Sequence, residues 1–396
     1  MLTALPPITV ASPAFAALAL VVVAAGRLGG GRHFAHVLAA TGLAIAVSWL
    51  DARKAFVLLA ALGPHWLVCR YLWGRPERAG KLVLATAIAW QTAILIASKI
   101  SGLSSAWGIA GVIGLSYLTF RQIQLLLEAP AAKQPFSSVL WCSFLINPLT
   151  LIAGPVQNWR AHMQGVAALA PPNQREALAA CHRVATGAVK ILVLAPMLAG
   201  QSDFRLLVDG GTTQVDWIIA FYAYYIFLFL DFSGYIDIVF GVAMLAGFRS
   251  FPENFNRPYL ATNFQDFWGR WNITLGLWFR TYIFTPLLTV LMRQLGAERQ
   301  DTAIVAALFL TFFLIGLWHG IAWNFVLFGL IHASGVSLTH IYRQWLLRRH
   351  GRAGLKAYEA HRGGRVLRVL LFQHVAAASF ILLDNDVRVV WKALVG

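Results

Sequence analysis

The chain has 396 residues, 59% hydrophobic and 12% charged, with a formal net charge of +16 at pH 7. Soluble domains hold roughly 45–50% apolar and about 25% charged residues, so a water-soluble globule of this composition would expose greasy patches that monomers rarely carry. The basic residues gather between apolar runs and form no continuous face, which argues against nucleic acid as a partner and for lipid as the solvent.

Taken in order, apolar runs fall near 13–29, 34–50, 55–73, 82–99, 107–128, 137–157, 178–200, 215–246, 274–295, 302–320, 321–342 and 366–385. Most approach the roughly 20 residues a spanning helix needs. They are continuously apolar, whereas barrel strands alternate over about ten residues. The expectation is therefore an all-α, multi-pass membrane protein with about 10–12 transmembrane helices. The first run, Pro13–Gly26, has no basic segment before it and reads as a first helix instead of a cleaved signal. The run at 215–246 is too long for one upright span, so it tilts or breaks near Gly234. Phe251–Arg280 interleaves aromatic, amide and charged residues, which suits an interfacial or re-entrant segment.

No internal repeat or low-complexity linker divides the chain, so residues 1–396 are expected to form one membrane-embedded domain. Arg70, Arg75, Arg78 and Lys81 make one basic cluster, and 343–368 a denser one that reads as a basic cytoplasmic loop. Such loops also suit anionic lipids or an acidic carrier protein. Cys69, Cys142 and Cys181 are widely spaced and show neither a pairing nor a metal-ligand pattern.

A polar side chain in hydrocarbon is costly unless it is paired. Unexplained polarity concentrates in three places. In DFSGYIDI, Ser233 and Asp237 share a helix face, as do Asp231 and Tyr235. They serve either as interhelical hydrogen-bonding glue or as the lining of a water-accessible path. In Pro252–Leu287, Asn272 stands beside Trp271 with aliphatic residues beyond, and must find partners within the protein. In GLWHGIAWNFVLFGLIHA, His319 and His332 are either satisfied core histidines or functional ones, with Trp318 and Trp323 nearby.

The blocks YYIFLFLDFSGYIDIVFGVAMLAGFRSFPENFNRPYLATNFQDFWGRWNITLGLWFRTYIFTPL and GLWHGIAWNFVLFGLIHA resemble the membrane-bound O-acyltransferase family. The bacterial branch, with teichoic-acid D-alanyl transferases and alginate O-acetylation proteins, is the most similar. LSYLTFRQIQLLLEA and INPLTLIAGPVQNW upstream extend the likeness, so the core motifs cover 115–333. The resemblance implies helices around a central tunnel and transfer of an acyl group from a thioester to a hydroxyl. It implies catalytic roles for His319, as general base, and for Asn272, at the family's His, Asn or Asp position. A thioester is already activated, so neutral imidazole could take the hydroxyl proton and the Asn272 amide could meet the oxygen that gains charge.

No bound cofactor or metal is implied. The donor would be an acyl carrier protein phosphopantetheine or coenzyme A thioester. The acceptor would be an envelope glycan, a lipid or a secreted metabolite. Expected partners are the donor, membrane lipids and a periplasmic or extracellular accessory transferase, with a bacterial inner membrane as the location. Trp271, Trp318 and Trp323 are expected to shape the substrate pocket. Arg270 and Arg280 would meet donor phosphates or lipid headgroups, and Ser233, Tyr235 and Asp237 would line the path. Bacterial relatives commonly read FWRRWH where this chain reads FWGRWN, so Gly269 and Asn272 mark the departures. A transporter and a non-catalytic acyl-transfer scaffold are the alternatives.

Overall fold

A computed structural model describes residues 12–48, 52–100, 114–202 and 214–384. All regular elements among them are helical, and eight helices are long and apolar enough to cross a membrane. Four of the twelve apolar runs, at 13–29, 34–50, 107–128 and 137–157, are not among these eight, and the last two build the shortest helices. Leu115–Glu128 has 14 residues, or about 21 Å of helix against about 30 Å of hydrocarbon. The run at 137–157 is helical only over Ser138–Leu145 and then proceeds in turns. Residues 107–113 lie outside the described residues.

The described chain divides into two compact units, one running up to Val189 and including Gly234–Pro252, the other Lys190–Ser233 with Glu253 onward. The first unit holds α1 (Pro13–Leu28), α2 (Gly31–Ser48), α3 (Ala52–Leu72), α4 (Lys81–Lys99), α5 (Leu115–Glu128), α6 (Ser138–Leu145), α7 (Trp159–Ala167) and α8 (Gln174–Val189). It also takes the second half of α9 (Gln214–Ala246). Local chemistry starts these helices where the sequence offers caps. The Ser12 side chain accepts from the Phe15 amide with Pro13 in the first turn, and Asn158 accepts from the amides of Arg160 and Ala161, each satisfying donors no helix can.

The core of this unit sets Trp73, Phe144 and Trp159 edge to face, with ring centroids 5.6 and 5.2 Å apart. Beneath it lies a buried cation. Arg121 is fully enclosed and donates to the carbonyls of Phe144 (3.1 Å), Leu145 (2.9 Å) and Thr150 (2.6 Å) and to the Thr150 hydroxyl (2.6 Å). Burial pulls its guanidinium down to about 10, so it stays charged at neutral pH. Carbonyl dipoles from the last turn of α6 and from the turns after it take the place of a counter-ion. His162, also fully buried, is flanked by the Ser143 hydroxyl (2.9 Å) and the Gln157 side-chain oxygen (3.2 Å). Burial first, and the Arg121 charge second, push it down to about 3, so it is a neutral structural imidazole.

The anticipated break near Gly234 is absent, since α9 is one helix of 33 residues. The glycine serves packing instead. A Cβ on Gly187 of α8 would sit 2.6 Å from the Gly234 carbonyl oxygen, and one on Gly241 would sit 2.8 Å from the Ala180 carbonyl oxygen. Small residues thus let α8 and α9 approach closely, and the Arg183–Asp237 ion pair (3.0 Å) seals the contact.

The second unit holds the first half of α9, then α10 (Phe264–Trp268), α11 (Ile273–Phe279), a π turn at Arg280–Phe284, α12 (Thr285–Leu295), α13 (Gln300–His319), α14 (Trp323–Ala360) and α15 (Arg362–Phe380). Phe251–Arg280 is cut into short helices and turns. Gln373 of α15 ties three parts of this unit together, accepting from the Tyr225 hydroxyl (3.0 Å) and donating to the carbonyls of Pro258 and Ala261. The stretch 343–368, anticipated as a loop, is helical apart from a kink at Gly351 (φ 65°) and the junction at His361. Its arginines, lysine, leucines and alanines are all good helix formers. Leu310, Leu314, Leu338, Val366 and Leu370 project outward, which suits contact with lipid.

Candidate active site

Asn272 sits at a crossing of two backbone segments. The Asn256 amide donates to the Arg270 carbonyl (2.9 Å) and the Ile273 amide to the Asn254 carbonyl (3.0 Å). The crossing forces residue 272 into the left-handed region (φ 44°, ψ 51°) just before α11. Asparagine adopts this conformation more readily than most side chains.

The orientation of both amides follows from one obligatory donor. The Thr274 backbone N–H can only donate, and with the Thr274 hydroxyl it points at Asn254 Oδ1 (3.0 and 2.7 Å). Asn254 Nδ2 is therefore the donor of the next bond, to Asn272 Oδ1 (3.2 Å). Asn272 Oδ1 is thereby committed, while its Nδ2 has no hydrogen-bond partner among the described residues. Both asparagines are buried. An oriented N–H without a partner is what stabilisation of a developing oxyanion requires.

His319 is the last residue of α13, where Gly320 turns to extended backbone (φ 174°). A Cβ on Gly320 would lie 2.3 Å from the Phe325 ring, so the glycine is a steric requirement. One on Gly316 would lie 2.3 Å from Gly329 Cα, which shows how closely α13 and α14 cross. The half-buried imidazole lies among Trp318 (4.5 Å between ring centroids), Phe325 (6.3 Å, near parallel) and Phe328 (5.6 Å, edge on).

His319 and Asn272 belong to the same unit, and a relay of ring contacts runs from the sequence neighbour of Asn272 to His319. Trp271, next to Asn272, packs on Phe380 (5.0 Å), Phe380 on Phe328 (5.8 Å), and Phe328 on His319. His332 also packs on Phe328 (4.1 Å) but is fully engaged. The Trp268 indole N–H donates to its Nδ1 (3.2 Å), leaving Nε2 to donate to the Ser379 hydroxyl (3.1 Å). It is the structural histidine of the pair.

The other anticipated residues divide. Trp271 and Trp318 belong to these ring contacts. Trp323 opens α14 and is 79% exposed, a placement that fits an indole at a membrane interface. Arg270 pairs with Asp266 (2.5 Å) and donates to the Asn256 carbonyl (3.3 Å). Arg280 is exposed at the start of the π turn. Ser233 is buried, its hydroxyl without a partner among the described residues. Tyr235 donates to the Leu149 carbonyl (3.0 Å) and Asp237 holds Arg183, both within the first unit and both in structural contacts. Asn254 was missed by sequence reading. Its only signal is a second amide two residues before Asn256 in a segment too polar for its apolar neighbours.

Residues 174–357 match the family model described as MBOAT, the membrane-bound O-acyltransferase family. The chain is 25% identical to a teichoic acid D-alanyltransferase of Streptococcus thermophilus over 85% of its own length and 87% of that protein's. It is 32% identical to a probable alginate O-acetylase of Azotobacter vinelandii over 58% of its length and 45% of the relative's. A peptidoglycan O-acetyltransferase of Helicobacter pylori is 34% identical over 39% of this chain and 28% of the relative. The chain thus spans less than half of these last two proteins.

Proposed function

We propose, from the match of residues 174–357 to the membrane-bound O-acyltransferase family model, that the chain moves an acyl group from a thioester onto a hydroxyl of a cell-envelope polymer, at a centre formed by His319 and Asn272. The donor is an acyl carrier protein or coenzyme A thioester, and the membrane is the bacterial inner membrane. His319 takes the proton of the acceptor hydroxyl as its oxygen attacks the thioester carbonyl. The Asn272 N–H donates to the carbonyl oxygen as charge develops on it. Collapse of the tetrahedral intermediate forms the ester, breaks the C–S bond and returns the proton to the leaving thiolate. Trp271 and Trp318 wall the reacting groups off from water.

The observation that supports this reading is the uncommitted Asn272 Nδ2, held in orientation through Asn254 and Thr274, in the same unit as His319. The test uses purified protein in lipid with a radiolabelled acyl thioester. His319→Ala lowers turnover by about a hundredfold or more, and Asn272→Ala by about 10²- to 10³-fold, with folding and donor binding retained. Asn272→His keeps part of the activity. Unchanged turnover in His319→Ala would remove the imidazole from the mechanism. Acyl movement without ester formation would favour a transporter or scaffold.

A further inference from the structure

The turn between α3 and α4 carries a feature unrelated to the acyl-transfer centre. Both helices are apolar and long enough to span, so the short Pro76–Arg78 turn joining them lies at the depth of lipid headgroups. Beside it is a cavity of about 810 Å³ whose walls include Arg70, Arg75, Arg78 and Lys133 and no carboxylate. None of these four cations forms an ion pair among the described residues. Two are aligned by aromatic rings, Arg70 over Trp66 (5.4 Å) and Arg78 over Tyr71 (5.0 Å). Stacking of this kind leaves the guanidinium edge free to donate.

The cavity floor is tied in place. The Trp73 indole donates to the Gln134 carbonyl (2.7 Å), and the Gly74 amide donates to the Ala129 carbonyl (2.9 Å). Between α3 and α4, Pro64, Val68, Leu82, Val83, Ala87 and Trp90 border an apolar slot of about 520 Å³. The other basic region differs. There Arg343 meets Glu359 and Arg348 meets Asp301, and the adjacent cavity includes Asp266 and Glu359 in its wall.

Four cations sharing one hollow repel one another until an anion neutralises them. Indole and phenol rings beside apolar helix faces are features of the membrane–water interface. We propose that this cavity binds the phosphate of an anionic membrane phospholipid, whose acyl chains lie along the α3–α4 surface. The rival occupant, an acidic carrier protein, would need no apolar slot.

The test titrates the full-length, detergent-purified protein with phosphatidylglycerol and counts bound lipid by native mass spectrometry. Arg75→Gln/Arg78→Gln/Lys133→Gln should weaken binding about a hundredfold, while Arg349→Gln/Arg352→Gln/Lys356→Gln, which removes the same charge elsewhere, changes it less than about twofold. Phosphatidylcholine should bind to neither. Should the triple variant not fold, exposed Lys133→Gln alone should weaken binding about fivefold. Equal weakening by both triple variants would overturn the proposal in favour of diffuse attraction. So would glycerol phosphate competing as well as the lipid, or an acyl carrier protein displacing it.

Discussion

A single backbone N–H, that of Thr274, decides which way two buried amides face. Asn254 is then a positioning residue, since it touches Asn272 and holds its oxygen in place. Replacing it with alanine frees Asn272 to rotate and to offer either end to the substrate. Asn254→Ala should lower kcat about ten- to a hundredfold with KM for the thioester nearly unchanged, and Asn254→Asp, which keeps the acceptor for Thr274 but lacks the N–H, should not rescue it. A change in KM alone would show that Asn254 shapes donor binding instead. Little of this was legible in the sequence. Asn272 and His319 stood out through polarity in apolar surroundings and through the family likeness, but the orientation of an amide depends on a partner 18 residues away. Arg121 was hidden for the same reason, because the carbonyls that enclose it come from the end of α6 and the turns after it, 23 to 29 residues away.

At the scale of elements, continuous apolarity located the long helices well and their internal geometry poorly. The boundary between α13 and α14 was readable, since His319-Gly320 interrupts two greasy runs. Gly234 was misleading, because a glycine that allows close packing and one that breaks a helix look alike in a sequence. Gly316 makes the packing role testable. Its missing Cβ admits Gly329, so Gly316→Ala forces α13 and α14 apart at a cost of about 1–3 kcal/mol. Gly363→Ala, whose new methyl would meet only the His361 ring at 3.6 Å, should leave stability level or slightly improved. Thermal unfolding in detergent compares the two, and equal melting temperatures would show that the crossing adapts.

For the whole molecule, composition alone separated membrane from water, and the outward-facing leucines bear this out. The basic residues gathered in 343–368 should set orientation through the positive-inside rule. In a cysteine-free background, Arg349→Cys should react with a membrane-impermeant maleimide in inverted vesicles and not in intact cells; labelling from outside would reverse the topology. The left-handed backbone at position 272 is also a filter on residue type. Aspartate, asparagine and histidine are the non-glycine residues most at ease with positive φ. They are also the three that the family likeness offers at this place. Part of that short alphabet can therefore be set by the shape of the main chain before any acid–base property is considered, and a protein could exchange one member for another without rebuilding the turn that presents it.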